Sequence, residues 1–200
     1  MVNGKPGAGK STCCREALER HDEWADQPVS HLSIGSRIRG IVSGAIDSSF
    51  ASELLGHRRE IAGMSLIDYG LAFSVVNEYL QNVSENDAVL LDGFPRQAQQ
   101  VPLLEAMAKN SGIAILGCIS VEISDEESIA RQIGRVEPYD RPDTTIEAAT
   151  RRLAEYDKET VPTINRAQEL WGGEMVNGEN EREIVTSDFL AKLATRVCSQ

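Results

Sequence analysis

Two hydrophobic periods alternate along the chain. Short continuous apolar runs, the mark of strands buried on both faces of a parallel sheet, occur at Ala88-Val89-Leu90-Leu91 and from Ile113 to Val121, and Val29 to Leu32 can form a further short strand. Helical spacing separates them. Cys14, Ala17, Leu18 and His21 predict a helix over Ser11 to Glu23, and Ser33-Ile34-Gly35-Ser36 opens another that carries Arg37 and Arg39. Phe50, Leu54 and Ile61 share a face of a helix capped at Asp47-Ser48 and closed by Gly63. Leu66, Phe73, Val76, Leu80 and Val83 form one stripe, which predicts a helix from Leu66 to Val83. Val101 to Lys109 is helical, and Ser124-Asp125-Glu126-Glu127 starts a helix bearing Arg131 and Arg135. Val136 to Pro142 reads as a short loop. Thr144-Thr145-Ile146-Glu147 is a capping box before a helix packed through Ile146, Ala149, Leu153 and Tyr156. The Gly/Asn/Glu-rich residues 172–183 read as an exposed loop, Glu183 to Thr186 as a last strand, and Phe189, Leu193 and Val197 as the seam of a closing helix. Strands alternating with helices predict an α/β fold whose parallel sheet is covered on both sides.

The chemistry begins at the head of this pattern. Gly4-Lys5-Pro6-Gly7-Ala8-Gly9-Lys10-Ser11 matches every fixed position of the phosphate-loop pattern G-x-x-x-x-G-K-[ST]. A bound triphosphate needs several donors converging on it. Gly4, Gly7 and Gly9 allow backbone turns closed to other residues, so that N–H groups approach phosphate oxygens. Lys10 supplies a charge for the β- and γ-phosphates, Ser11 a hydroxyl for Mg²⁺, and the helix behind them its positive end. Such a loop ordinarily follows a buried strand, yet only Met1-Val2-Asn3 precede Gly4. Either the chain begins inside that strand, or its start is misassigned, or it is a fragment.

Composition narrows the choice of ligand. A net charge of −11 over 200 residues argues against a broad nucleic-acid surface, while a local cluster of arginines can still hold a phosphorylated small molecule. No apolar run reaches the roughly 18 residues that span a bilayer, and the polar, glycine-rich start is no signal peptide. Cys13, Cys14, Cys118 and Cys198 show neither metal spacing nor a disulfide framework, which reads as buried thiols in a reducing cytosol. Asp92, at the C-terminal end of its predicted strand, sits where parallel sheets place ligands. Arg39, Arg96, Arg131, Arg135, Arg141 and Arg152 stand at the mouths of several elements, and arginine's charged fork matches phosphate oxygens.

At these residues the sequence resembles the adenylate kinase family of nucleoside monophosphate kinases, from about residue 2 to 165. The loop Gly4 to Lys10 looks like the family's G-x-P-G-x-G-K, and Leu32-Ser33-Ile34-Gly35-Ser36-Arg37-Ile38-Arg39 resembles its L-S-T-G-D-x-x-R. Asp92-Gly93-Phe94-Pro95-Arg96 with Gln100 is similar to D-G-[FY]-P-R-x-x-x-Q, the most specific stretch. Arg131, Arg135, Arg141-x-Asp143 and Arg152-Leu153 follow one another at gaps of 4, 6 and 11 residues (135−131, 141−135, 152−141), the spacing of the short-lid form.

The resemblance implies one domain over 1–200. Its core would be about 1–33, 67–131 and 145–200, with acceptor-binding helices at about 34–66 and a lid at about 132–144. It implies that Gly4, Gly7, Ala8, Gly9, Lys10, Ser11 and Thr12 hold the ATP phosphates, that Arg131 stacks on the ATP base, and that Ser11 and Asp92 serve Mg²⁺, partly through water. Arg39 and Arg96 would clamp the acceptor phosphate, Ile34, Gly93 and Gln100 would meet the rest of the acceptor, and Arg135, Arg141 and Arg152 would close over the moving phosphoryl group. No zinc, membrane or nucleic acid is implied, and the resemblance points to a cytoplasmic monomer. Departures from the family gather at the acceptor: Ile34 replaces a small residue, Ser36 an acid, and Ile67-Asp68 a Val-Pro pair. Ser11 replaces a glycine and Thr144 an aspartate. The leading expectation is an ATP:AMP phosphotransferase. The alternatives are a kinase for CMP, UMP or another nucleoside monophosphate, a nucleotide-binding protein without turnover, and a kinase for an unphosphorylated acceptor. That last option would leave Arg39 and Arg96 without an anion and would require a base.

Overall fold

Strand β1 (Val2–Gly4) lies at the centre of a five-stranded parallel sheet, and everything that follows is placed by it. The computed structural model describes residues 1–58, 61, 66–134 and 145–198. With β2 (Val29–Ser33), β3 (Ala88–Asp92), β4 (Cys118–Glu122) and β5 (Gly173–Asn177), the sheet order is β2-β3-β1-β4-β5. Val2 pairs with both Asp92 and Ile119, which sets the phosphate loop beside the end of β3. Ser33 also pairs with Asp92, so β2 ends at the same level.

Nine α-helices are found among the described residues: α1 (Lys10–Glu19), α2 (Ile34–Val42), α3 (Ala51–Gly56), α4 (Tyr69–Leu80), α5 (Gln100–Ser111), α6 (Asp125–Ile133), α7 (Ile146–Glu155), α8 (Val161–Trp171) and α9 (Arg182–Cys198). Successive strand side chains point to opposite faces. Leu90 accordingly joins a core with Val2, Cys14, Val121 and Phe189, while Leu91 joins a second with Ile38, Val75, Val76 and Leu104. The expected covered parallel sheet is what forms.

Several local expectations give way to tertiary context. The apolar run from Ile113 is strand only at Cys118–Glu122. Its first residue belongs to the end of α5, donating its N–H to Ala108 after Gly112 turns at φ 68, and is 39% exposed. Residues 172–183 are not all loop, since Gly173–Asn177 pairs with β4 as an edge strand and buries only Val176, too little to give a hydrophobic signal. Glu183 to Thr186 is helix, not strand: Val185, Phe189 and Leu193 repeat every four residues on the buried face of α9. The helix expected at Leu66 starts at Tyr69 because the Asp68 carboxylate accepts from the N–H groups of Gly70 and Leu71, and it ends at Leu80. Phe50, not Asp47-Ser48, occupies the N-cap of α3, and the Ser48 hydroxyl accepts from Phe50 N instead. Thr145 caps α7 by accepting from Ala148 N, which turns Ile146 outward at 62% exposure. The first predicted helix divides into α1 and a 3₁₀ turn at His21–Glu23. Gly63, the loop at 136–142 and Thr144 lie outside the described residues.

Candidate active site

The loop after β1 is shaped by backbone that only glycine supplies. At Gly4, φ is +140°, and a Cβ would stand 2.2 Å from the Val121 carbonyl oxygen. Gly9 caps α1 at φ 93, in the left-handed region, and accepts from Thr12 N and Cys13 N. Lys10 folds back over the loop, its Nζ donating to the carbonyls of Gly4 (2.8 Å) and Lys5 (2.9 Å). The ammonium thus crowns the concavity where a phosphate chain fits.

Asp92 closes the floor. It is 3% exposed, accepts from the Ser11 hydroxyl at 2.5 Å, and lies 3.4 Å from His31 Nε2. Burial pushes its carboxyl up, but the bond with His31, the charge of Lys10 and the Ser11 hydroxyl outweigh that and hold it below the usual carboxylate range. A hydroxyl and an ionised carboxylate side by side are the hard oxygen donors Mg²⁺ takes, with phosphate oxygens and waters completing its octahedron. The donor set fits that ion.

The opposite wall carries the arginines. Arg96 follows Gly93, whose carbonyl accepts from its Nε at 2.7 Å. Burial pulls the guanidinium's pKa down while Asp92 and Glu155 pull it back up; with arginine's high intrinsic basicity it stays charged. Arg39 reaches the Ser36 hydroxyl at 3.1 Å, the position where the related motif carries an acid. A cleft of about 1310 Å³ joins the two walls, bordered by Gly4, Gly7 and Gly9 to Thr12 on one side and by Arg39, Gly93, Arg96 and Arg152 on the other. Beside it opens a pocket of about 70 Å³, walled by Ile34, Ile38, Ile67 and Phe94 with Gln100. Gly93, Arg39 and Arg96 border both spaces. An anion held by these arginines therefore has an apolar slot next to it.

Some expected residues sit apart. Arg131 is tied to Glu127 (2.6 Å) and to the Gly178 carbonyl (2.9 Å), beside the loop and outside the cleft lining. Ala8 is buried, its N–H given to the Lys5 carbonyl. Gln100 does wall the apolar pocket but is 1% exposed, its Oε1 accepting from Arg96 N and Gln97 N and its Nε2 3.4 Å from the Tyr69 carbonyl and Gln97 Oε1. Arg135 and Arg141 lie outside the described residues.

The structure adds residues to which sequence reasoning gave no place in the site. His31 lines the cleft because β2 runs beside β3. Tyr156 and Thr160 line it from a π-turn at Tyr156–Thr160 that joins α7 to α8, and Thr160 donates to the Arg96 carbonyl at 3.2 Å. One signal marked that turn: Pro162 sits in otherwise helical sequence, where it removes a backbone donor and forces an irregular turn.

Comparison with known proteins gives a consistent result. The family model described as adenylate kinase matches residues 2–170. Adenylate kinases of Synechococcus sp. (strain RCC307), Maricaulis maris (strain MCS10) and Leptospira biflexa (strain Patoc 1 / Ames) are 28%, 26% and 24% identical to this chain. These matches cover 96%, 96% and 95% of it and 96%, 97% and 96% of the relatives. Among the described residues, no helix is long and apolar enough to cross a membrane.

Proposed function

The chain belongs to the adenylate kinase family and is a phosphotransferase; from that premise we propose that it moves the γ-phosphoryl group of Mg-ATP reversibly to AMP, giving two ADP. The observation that carries this reading is the shared border of the two spaces. Arg39, Gly93 and Arg96 face the phosphate loop across the cleft and the apolar pocket beside it. That is the layout for a second phosphate with a base attached.

Phosphoryl transfer asks for positioned charge and exclusion of water more than for covalent work. Lys10 leaves the carbonyls of Gly4 and Lys5 to reach the β- and γ-phosphates, while N–H groups of the loop hold the chain behind them. Ser11 and Asp92 would hold Mg²⁺, which offsets charge developing on the phosphate oxygens. Arg39 and Arg96 hold the acceptor phosphate in line, and Thr160 steadies Arg96 through its carbonyl. Arg152 turns toward the moving group, joined by Arg135 and Arg141 of the lid at about 132–144. Closure of that lid and of the acceptor-binding helices at about 34–66 excludes water. The acceptor oxygen is already anionic, so no base is required. Gln100 has its carbonyl oxygen held by the Arg96 and Gln97 N–H groups and its amide nitrogen 3.4 Å from both the Tyr69 carbonyl and Gln97 Oε1; that nitrogen leaves these two long contacts to donate to an adenine ring nitrogen. The enzyme works as a cytoplasmic monomer.

ADP formation with Mg-ATP and, separately, AMP, CMP, UMP and GMP tests the reading, with Lys10→Ala as the blank. Turnover confined to AMP and lowered about 10²–10³-fold in the blank is expected. Equal turnover with a pyrimidine nucleotide would remove the AMP assignment and leave the fold intact.

A further inference from the structure

Beneath the phosphate loop, three side chains from three elements converge. Cys14 comes from the second turn of α1, His31 from the middle of β2 and Asp92 from the end of β3, and one ligand atom of each lies within 4.8 Å of the other two. Asp92 also serves the phosphate site, where His31 helps to hold it ionised, but phosphoryl transfer asks for no thiol there. We propose that Cys14, His31 and Asp92 form a site for a thiophilic divalent metal ion of the Zn²⁺ class, and that its occupation silences the neighbouring phosphate site.

The geometry is close to what such an ion requires. Zinc bonded tetrahedrally to sulfur, nitrogen and oxygen holds its ligand atoms about 3.4–3.6 Å apart. His31 Nε2 and Asp92 Oδ2 already stand 3.4 Å apart. Cys14 Sγ lies within 4.8 Å of both, so a movement on the order of 1 Å completes the set. The fourth position falls beside Ser11, whose hydroxyl is 2.5 Å from the same Asp92 oxygen. Entry is from the cleft, which His31 and Asp92 line.

Ligand chemistry supplies the selectivity. Thiolate and imidazole select zinc-like ions, whereas Mg²⁺ prefers oxygen and keeps its waters. Burial keeps the Cys14 thiol protonated on its own. Binding forms a metal–sulfur bond as the S–H bond breaks and the proton leaves to solvent. Asp92 is then shared between two uses. An ion that takes Oδ2 draws the carboxylate from Ser11 and places a second positive charge near Lys10, so the inhibitory half of the proposal rests on the kinase reading. The binding half does not.

Co²⁺ titrated into the nucleotide-free chain is the direct test. One equivalent should produce tetrahedral visible bands with a near-ultraviolet thiolate-to-cobalt band, reversed by Zn²⁺ and unmoved by Mg²⁺. Cys14→Ala should abolish the thiolate band, and His31→Ala, which removes a ligand, should weaken binding by more than the roughly 10–100-fold that loss of an outer-shell partner costs. Cys14→Ala should also keep its Mg²⁺-dependent turnover while losing sensitivity to Zn²⁺. A wild-type chain without the thiolate band, or the same band in Cys14→Ala, overturns the site. Undiminished turnover of the Co²⁺-loaded wild type overturns the inhibition. A chain that binds Co²⁺ through Cys14 yet turns over no monophosphate separates failure of the kinase reading from failure of this one.

Discussion

The two walls of the cleft are built by different means. The donor wall is almost all backbone: Gly4 to Gly9 folded into one loop, with Lys10 and Ser11 immediately behind. The acceptor wall is almost all side chain, drawn from α2, the turn after β3 and the π-turn before α8. A backbone wall tolerates little change, because its shape is its function. A side-chain wall can be retuned one residue at a time, and the departures at Ile34, Ser36 and Ile67 all fall there. The proposed reading therefore expects abrupt losses from the first wall and graded shifts from the second.

The sharpest break should come at Gly4→Ala. A Cβ 2.2 Å from a backbone carbonyl at φ +140° cannot be accommodated by a side-chain movement. ATP binding, read by calorimetry, should vanish, with a marked fall in melting temperature. Lys10→Ala should keep the fold and lower kcat by about 10²–10³-fold, the usual cost of one preorganised charge stabiliser, as steady-state kinetics would show. Arg39→Ala should act on the other wall, raising KM for AMP by about 10–100-fold, as befits one charged hydrogen-bond partner, with KM for ATP nearly unchanged. A matching rise in both constants would mean that the walls are not separate.

Acid should affect the donor wall before the acceptor wall. The Asp92 carboxyl has a lowered native pKa, so its stabilising contribution is fully present above the ordinary carboxylate value and is lost as pH falls through the native one. Asp92→Asn should flatten that acid limb in urea unfolding measured across pH. The smallest effect expected is at Ile34→Thr. Trading a buried ethyl group for a hydroxyl beside the acceptor pocket should change the AMP-to-CMP preference by only about 10-fold.

The same contrast explains what could be read in the sequence. The phosphate loop was legible because each of its residues is a local requirement at a fixed spacing, and Asp92 was legible because a buried strand must end before a ligand. β5 was not legible: at the sheet edge it buries only Val176, and its glycine and asparagine mimic a loop. Glu183 to Thr186 misled in the opposite sense, because isoleucine, valine and threonine favour strands until Phe189 and Leu193 fix a four-residue repeat. His31, Tyr156 and Thr160 reach the cleft through sheet order, which leaves no local spacing, and a π-turn, whose one local mark is Pro162. The side-chain wall was visible through its arginines, Ile34, Gly93 and Gln100, and the commitment of the Gln100 carbonyl to backbone appears only once the turn after Arg96 is folded.

The central claim is that the two walls form one site for two nucleotides. Calorimetric titration with two adenosines joined through five phosphates measures this most directly. The account predicts one molecule bound per chain, weakened by Lys10→Ala and by Arg39→Ala alike, and exclusion of both ATP and AMP while it is bound. Two molecules bound per chain, or AMP binding undisturbed by the occupied donor wall, would contradict it.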